Sequence, residues 1–310
     1  MRFPLICFVV LGILSQVLNA DDLLFPHCNR REDVVYGRKF GTALTMDVFS
    51  PKANPNGIGV IFVVSGGWSS RHEDISQYAT PFIDQLAERG FTVFAVVHGS
   101  RPRYSIPEMI GDLERSIRFI RYHSDQFAID GDRIGVCGAS AGGHLSLMLG
   151  TDGKPANPDA KDEVDRISSQ VQAVACLCPP TDFLNYGHPG ENALGRGVLQ
   201  TFHSAFEFRD IQDGRTITPI TDSIKILEIG REISPVNHVS ADDPPTLIIH
   251  GDKDSVVPIQ QSEDLIAKLV EAKVQCRLIV RPGEDHGWKD YSPDIQEFAE
   301  WFEIHLIKSK

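Results

Sequence analysis

Two unbroken apolar runs constrain this chain more than any other feature: Ile58–Val64 (IGVIFVV) and Phe91–Val97 (FTVFAVV). A strand with one wet face alternates apolar and polar residues. A strand with none is covered on both faces, as in a parallel sheet flanked by helices. Similar runs recur at Val171–Cys178, Thr246–His250 (TLIIH) and Gln275–Val280, with a shorter one at Arg133–Cys137. Segments with helical spacing lie between them. Ile75–Glu88 places Ile75, Tyr78, Phe82 and Leu86 on one face, and Pro107 opens a helix carrying Met109, Ile110, Leu113, Ile117 and Ile120. An apolar helix begins at Leu145–Leu149, and Gln260–Glu271 and Asp294–Ile307 complete the series. Val34–Tyr36 and Leu44–Phe49 read as an opening antiparallel pair turning near Gly41. The expected class is α/β, with a mostly parallel central sheet and helices on both faces.

Two stretches break the alternation. Asp152–Arg166 is polar and reads as an exposed loop. Thr181–Asp243 is too long for an ordinary connection and holds Phe183, Tyr186, Phe202, Phe206 and Phe208. It reads as an insertion over the sheet edge, either a small lid or an excursion with its own minor core. Residues 1–20 read as a secretory signal: Arg2, an apolar run from Leu5 to Leu14, and Ala20 before a cut ahead of Asp21. That run falls short of the roughly 20 residues a membrane span needs. An exported domain of residues 21–310, with the insertion at 181–243 and no stable membrane span after signal removal, is expected.

The expected mature chain keeps Cys28, Cys137, Cys176, Cys178 and Cys276. Cys176 and Cys178, two apart in a strand, are expected on one sheet face. Buried free thiols are the simpler reading, although export permits a disulfide. The absence of a Cys-x-x-Cys pair argues against zinc, and no metal or cofactor is expected. With Lys+Arg 30 against Asp+Glu 42, the formal charge of −12 opposes binding to phosphate backbones, so no nucleic-acid partner is expected.

The strongest local signal is Gly138-Ala139-Ser140-Ala141-Gly142, a G-x-S-x-G motif between a strand and a helix. A turn this sharp strains the serine backbone and exposes its hydroxyl. The positions two before and two after must lack side chains. The N–H of Ala141, at the helix N-terminus, is aimed where an oxyanion would form. A serine hydroxyl needs a base, and the base an orienting carboxylate, in the chain order Ser, acid, His. Two later strands run into polar loops: Gly251-Asp252-Lys253-Asp254-Ser255 and Arg281-Pro282-Gly283-Glu284-Asp285-His286-Gly287-Trp288. All three segments follow the C-terminal ends of strands, the ligand-binding edge of open α/β sheets. His286 competes as base with His250 and His144. Asp254 competes as acid with Asp252, Asp243 and Asp285, and spacing prefers it only slightly.

On these motifs the chain resembles the α/β-hydrolase superfamily, in its esterase/lipase group of hormone-sensitive-lipase-like and BD-FAE-like carboxylesterases. Gly138–Leu145 resembles the extended elbow of that group, His250–Pro258 its acid loop, and His286-Gly287-Trp288 its histidine loop. The resemblance implies Ser140 as nucleophile, His286 as general base then acid, and Asp254 as orienter. Where the group carries His-Gly-Gly-Gly-Trp, this chain has Val64-Ser65-Gly66-Gly67-Trp68. It thereby keeps Gly66 and Gly67 for an oxyanion hole shared with Ala141, and loses the histidine and first glycine. The implied activity is serine hydrolysis of a carboxylic ester, small or polymer-borne, through an acyl-enzyme. A prolyl-oligopeptidase-like peptidase or amidase is the alternative enzyme, and a non-catalytic binding module the alternative class. Trp68, Trp288 and the insertion's aromatics are either pocket walls or core.

Overall fold

The computed structural model describes residues 24–212 and 216–307. The segment read as a signal, 1–20, lies outside the described residues. The chain opens with β1 (Cys28–Lys39) and β2 (Thr42–Pro51), longer than the expected pair. Phe40 and Gly41 both have positive φ, giving the two-residue hairpin whose twist matches its strands. Then come β3 (Gly59–Val64), a helical stretch ending in α1 (Gln85–Glu88), β4 (Thr92–Val97), α2 (Ile106–Tyr122), β5 (Ile134–Ala139), α3 (Ala141–Thr151) and β6 (Ala173–Leu177). The remaining elements are β7 (Arg209–Gln212), β8 (Thr216–Pro219), α4 (Ser223–Glu232), β9 (Thr246–Gly251), α5 (Gln260–Glu271), β10 (Cys276–Arg281) and α6 (Ser292–Leu306).

Eight strands form one sheet in the order β1-β2-β4-β3-β5-β6-β9-β10, parallel from β4 to β10. The antiparallel pairings, β1–β2 and β2–β4, lie at one edge, so β2 alone runs against the other strands. The alternation of β3 splits its side chains between two cores. Ile61 and Val63 join α2, α3 and α5 on one face; Val60, Phe62 and Val64 join Ile75, Phe82, Leu86 and α6 on the other. Both faces are dry, which is why these strands read as continuous apolar runs. No helix among the described residues is long and apolar enough to cross a membrane.

Two expectations need correction. The segment expected as one helix over Ile75–Glu88 is a 3₁₀ turn (His72–Tyr78), a π turn (Ala79–Asp84) and then α1. Pro81 lies inside it, has no N–H to continue the i→i−4 ladder, and forces the change of pitch. Cys176 and Cys178 do not share a face: Cys176 belongs to one core and Cys178 to the other. The strand ends at Leu177, and Cys178 turns to φ 44, which breaks the alternation. All five described cysteines are free.

The Thr181–Asp243 segment contains a 3₁₀ stretch (Gly197–Phe206), the β7–β8 hairpin and α4. Phe183, Tyr186, Phe206 and Phe208 are buried in the core shared with α2 and α3. Its base is fastened to α5: the Thr181 N–H donates to Gln261 Oε1 at 2.9 Å and its hydroxyl to the Gln261 carbonyl at 2.6 Å.

Candidate active site

Ser140 links β5 to α3 at φ 54 and ψ −119, a backbone conformation that side chains disfavour. Its neighbours explain how the turn is tolerated. A Cβ at Gly138 would meet Gly142 backbone atoms at 2.6 Å, and one at Gly142 would meet the Val63 carbonyl at 2.7 Å. The turn is pinned by Ser140 N–H donating to the Leu177 carbonyl at 2.8 Å. The apolar residues of α3 and β5 bury the base of the elbow and leave the hydroxyl at its apex.

The two downstream loops meet the serine. His286 Nε2 lies 2.8 Å from Ser140 Oγ, and His286 Nδ1 lies 2.7 Å from Asp254 Oδ2. An ionised carboxylate only accepts, so Nδ1 carries the proton and Nε2 is left to accept from the serine. The Asp254 side chain has no exposed surface. Its Oδ1 accepts from the N–H groups of Val256 (2.9 Å) and Val257 (2.7 Å). Burial opposes its ionisation, but hydrogen bonds from His250, His286 and the Val257 N–H outweigh that and hold it well below the usual carboxylate range.

The rival residues are occupied elsewhere. Asp252 accepts from Gly283 N–H, and Asp243 from Ser240. Asp285 Oδ1 accepts from the Ser255 N–H (2.8 Å), the Ser255 hydroxyl (2.8 Å) and the His286 N–H (2.7 Å), which ties the acid and histidine loops together. Those loops approach closely at Gly251, where a Cβ would meet the Glu284 carbonyl at 2.3 Å. His144 is fully buried, accepting from Trp68 Nε1 (3.1 Å) and donating to the Ile233 carbonyl (2.7 Å).

The oxyanion side departs from expectation at one glycine. The Gly66 N–H donates to the Ser69 carbonyl at 2.9 Å, closing a tight turn, and is therefore already engaged. The N–H groups of Gly67 and of Ala141, the first residue of α3, have no partner among the described residues. Gly67 has φ 53, and a Cβ there would meet the Phe202 ring at 2.4 Å. Its carbonyl accepts from Arg101 Nε at 2.6 Å, and the Arg101 guanidinium stacks over Phe202 at 5.2 Å. Ser70 Oγ also clamps the loop, donating to the Val64 carbonyl and accepting from the His98 N–H. No motif or spacing in the sequence marks Arg101 or Phe202 for this role. Trp68 is core, 1% exposed, between Phe183, Phe202 and Phe206. Trp288 Nε1 donates to Asp294.

Of the potential donor clusters, Cys178, His250 and Asp254 approach one another within 4.8 Å. Both His250 nitrogens are hydrogen-bonded, to Ser262 and to Val257, so this group is a closed network.

The BD-FAE family model matches residues 46–269, which include the elbow and the acid loop. The chain belongs to the BD-FAE family. This BD-FAE chain is similar to "Probable carboxylic ester hydrolase LipM" of Mycobacterium tuberculosis, 26% identical over 255 residues, covering 78% of this chain and 52% of that protein. It is also similar to "Esterase LipC" of the same organism, 29% identical over 266 residues, covering 83% of this chain and 60% of LipC. It thus spans between half and three-fifths of these relatives. Among solved structures it is similar in fold to a carbohydrate esterase from gut microbiota, with TM-score 0.70 and 23% identity, covering 90% of this chain and 97% of that one. The α/β-hydrolase fold expected of the BD-FAE chain is thereby shown.

Proposed function

We propose that this chain hydrolyses carboxylic esters through an acyl-enzyme. One observation carries the reading: a serine on a strained turn, 2.8 Å from an imidazole that is itself 2.7 Å from a buried carboxylate. Ser140 Oγ attacks the ester carbonyl while His286 Nε2 takes its proton. Asp254 holds the imidazole in the accepting tautomer and stabilises the imidazolium. The oxyanion is held by the open N–H groups of Gly67 and Ala141, with Gly66 closing the turn that carries Gly67. The intermediate collapses as His286 returns its proton to the leaving alcohol. Water, deprotonated by His286, then attacks the acyl-serine, and the acid leaves with Ser140 reprotonated.

The names of LipM and LipC support ester chemistry, and the intact Ser–His–Asp contacts favour it over a binding module. The substrate class proposed is a carboxylic ester, free or borne on a polymer. Residues 1–20 are read as an export signal, supported by Arg2 and the apolar run behind it, so the protein meets its substrate outside the cytoplasm. The 181–243 insertion is read as a lid-like cover, supported by the half-buried Phe202 lying against Gly67.

Ser140→Ala tests the assignment on a short aryl ester such as 4-nitrophenyl acetate. Turnover is expected to fall by about 10⁴-fold or more with the far-UV spectrum and melting unchanged. Undiminished hydrolysis in a folded variant would overturn it.

A further inference from the structure

Asp254 Oδ2 is shared by two imidazoles. His286 Nδ1 approaches it at 2.7 Å from the solvent side, and His250 Nε2 at 3.2 Å from the interior. His250, on β9, is fully buried. Its Nε2 also lies 2.9 Å from the Val257 carbonyl, and its Nδ1 lies 2.6 Å from Ser262 Oγ on α5. Both Nε2 neighbours are acceptors only, so Nε2 must carry the proton, and the Ser262 hydroxyl completes the pair by donating to the bare Nδ1. The tautomer is fixed from both ends.

We propose that His250 is a positioning residue for the acid of the triad: it holds the Asp254 carboxylate in place and, by sharing its one N–H between the Val257 carbonyl and the oxygen that His286 uses, limits how strongly that oxygen can stabilise the His286 imidazolium. This rests on the reading of Ser140, His286 and Asp254 given above. A carboxylate that already accepts from one donor is a weaker acceptor for the next. With His250 present, the Asp254 carboxylate orients His286 while its charge is shared between two donors. A general base is most effective with its pKa near the working pH, so this restraint acts on rate.

Other groups facing the carboxylate do not duplicate the role. The Cys178 thiol, just past β6, is kept protonated by burial and meets Asp254 only as a weak S–H donor. The Tyr186 hydroxyl, from the insertion, donates to the Val256 carbonyl at 2.9 Å, and burial keeps it neutral. Asp285 on the histidine loop is an exposed anion bonded to Ser255. Asp294 on α6 is paired with Arg281 at 2.5 Å. His250 is the interior side chain that meets Asp254 with a ring N–H.

The test is the pH profile of kcat/KM on 4-nitrophenyl acetate for the full chain, with fluorophosphonate labelling of Ser140 as a separate readout. Without the His250 donor, Asp254 becomes the stronger partner of His286. In His250→Leu the acidic limb should therefore move to higher pH by about 0.5–1 unit, with kcat falling more than KM changes. His250→Gln, whose amide N–H reaches the Nε2 position, should restore the limb to near the wild-type position. Where His250→Leu does not fold, Ser262→Ala serves: it removes the hydroxyl that anchors the His250 ring at Nδ1, and the limb should rise in part. A limb unmoved in folded His250→Leu, or in Ser262→Ala where the leucine variant fails, or moved equally by Gln and Leu, overturns the proposal. Loss of Ser140 labelling in the wild type would instead overturn the underlying hydrolase reading.

Discussion

On one side of Ser140, the acid and histidine loops are laced together by contacts inside two short segments: Asp285 with Ser255, Asp254 with Val256 and Val257, and His286 with Asp254. On the other side, the Val64–Trp68 loop is gripped by side chains from three distant places. Arg101 follows β4, His144 lies on α3, and Phe202 comes from the insertion. The first side is built from two short loops, each carrying its own motif, whose cross-contacts join residues 30 and 32 positions apart, so the motifs record most of its geometry. The second has lost the usual leading histidine and glycine, and it is positioned by packing that no local motif records.

Asp254→Asn should break the first side most severely. The Val256 and Val257 N–H groups keep the amide oxygen at the Oδ1 position, so the new NH₂ faces His286 Nδ1. His286 must then carry its proton on Nε2 and cannot take one from Ser140. A loss of about 10⁴ in kcat is expected, and a loss below tenfold in steady-state assays would show that the carboxylate is not the orienter. Gly67→Ala should break the second side. Its φ of 53 and the 2.4 Å approach to Phe202 force the peptide to move, with kcat down by about 10²–10³ as one donor is misplaced. The double variant Gly67→Ala/Phe202→Ala should recover part of that loss if the ring is the obstruction. No recovery would place the cause in backbone strain.

Acid should separate the two sides. His98 and His144, which brace the oxyanion side, are fully buried, and burial pushes both imidazoles down from 6.5 to about 4. The folded chain keeps them neutral, whereas the unfolded chain takes up protons at about 6.5. Their contribution is therefore complete above that pH and is lost as pH falls toward 4, by as much as about 3 kcal/mol for each histidine. Asp254, held below the ordinary carboxylate range, stays ionised through the same window. Urea unfolding at pH 7 and pH 4.5 should show this loss, and His144→Gln should flatten it. An unchanged slope in that variant would contradict the assignment. The smallest effect is expected for Arg101→Met, which frees the Gly67 carbonyl while keeping apolar contact with Phe202: kcat falls about tenfold with KM nearly unchanged in Michaelis curves. A matching rise in KM would instead make Arg101 a substrate contact.

The same contrast governs what could be read from the sequence. Strands covered on both faces, such as β3 and β4, announce themselves as apolar runs. β1 does not: it is an edge strand with charged, exposed positions, and its register is interrupted between Arg31 and Val34, so only its apolar centre was visible. The elbow was legible because steric demands at Gly138 and Gly142 leave a fixed pattern. His250 was visible only as a rival base, because its role depends on where Ser262 and Asp254 come to lie. Gly66 departs from expectation because glycine content does not reveal whether an N–H is already bonded. The single helix expected over Ile75–Glu88 is broken because Pro81 overrides the apolar spacing.

The central claim is that Ser140 carries the acyl group. Stoichiometric treatment of the whole protein with a fluorophosphonate, followed by peptide mapping in a mass spectrometer, tests it most directly. The account predicts one adduct per chain, on the peptide containing Ser140, formed in step with the loss of ester hydrolysis and absent from His286→Ala under the same conditions. Complete loss of hydrolysis with Ser140 unmodified, or a fully modified Ser140 in a chain that still turns over ester, would contradict it.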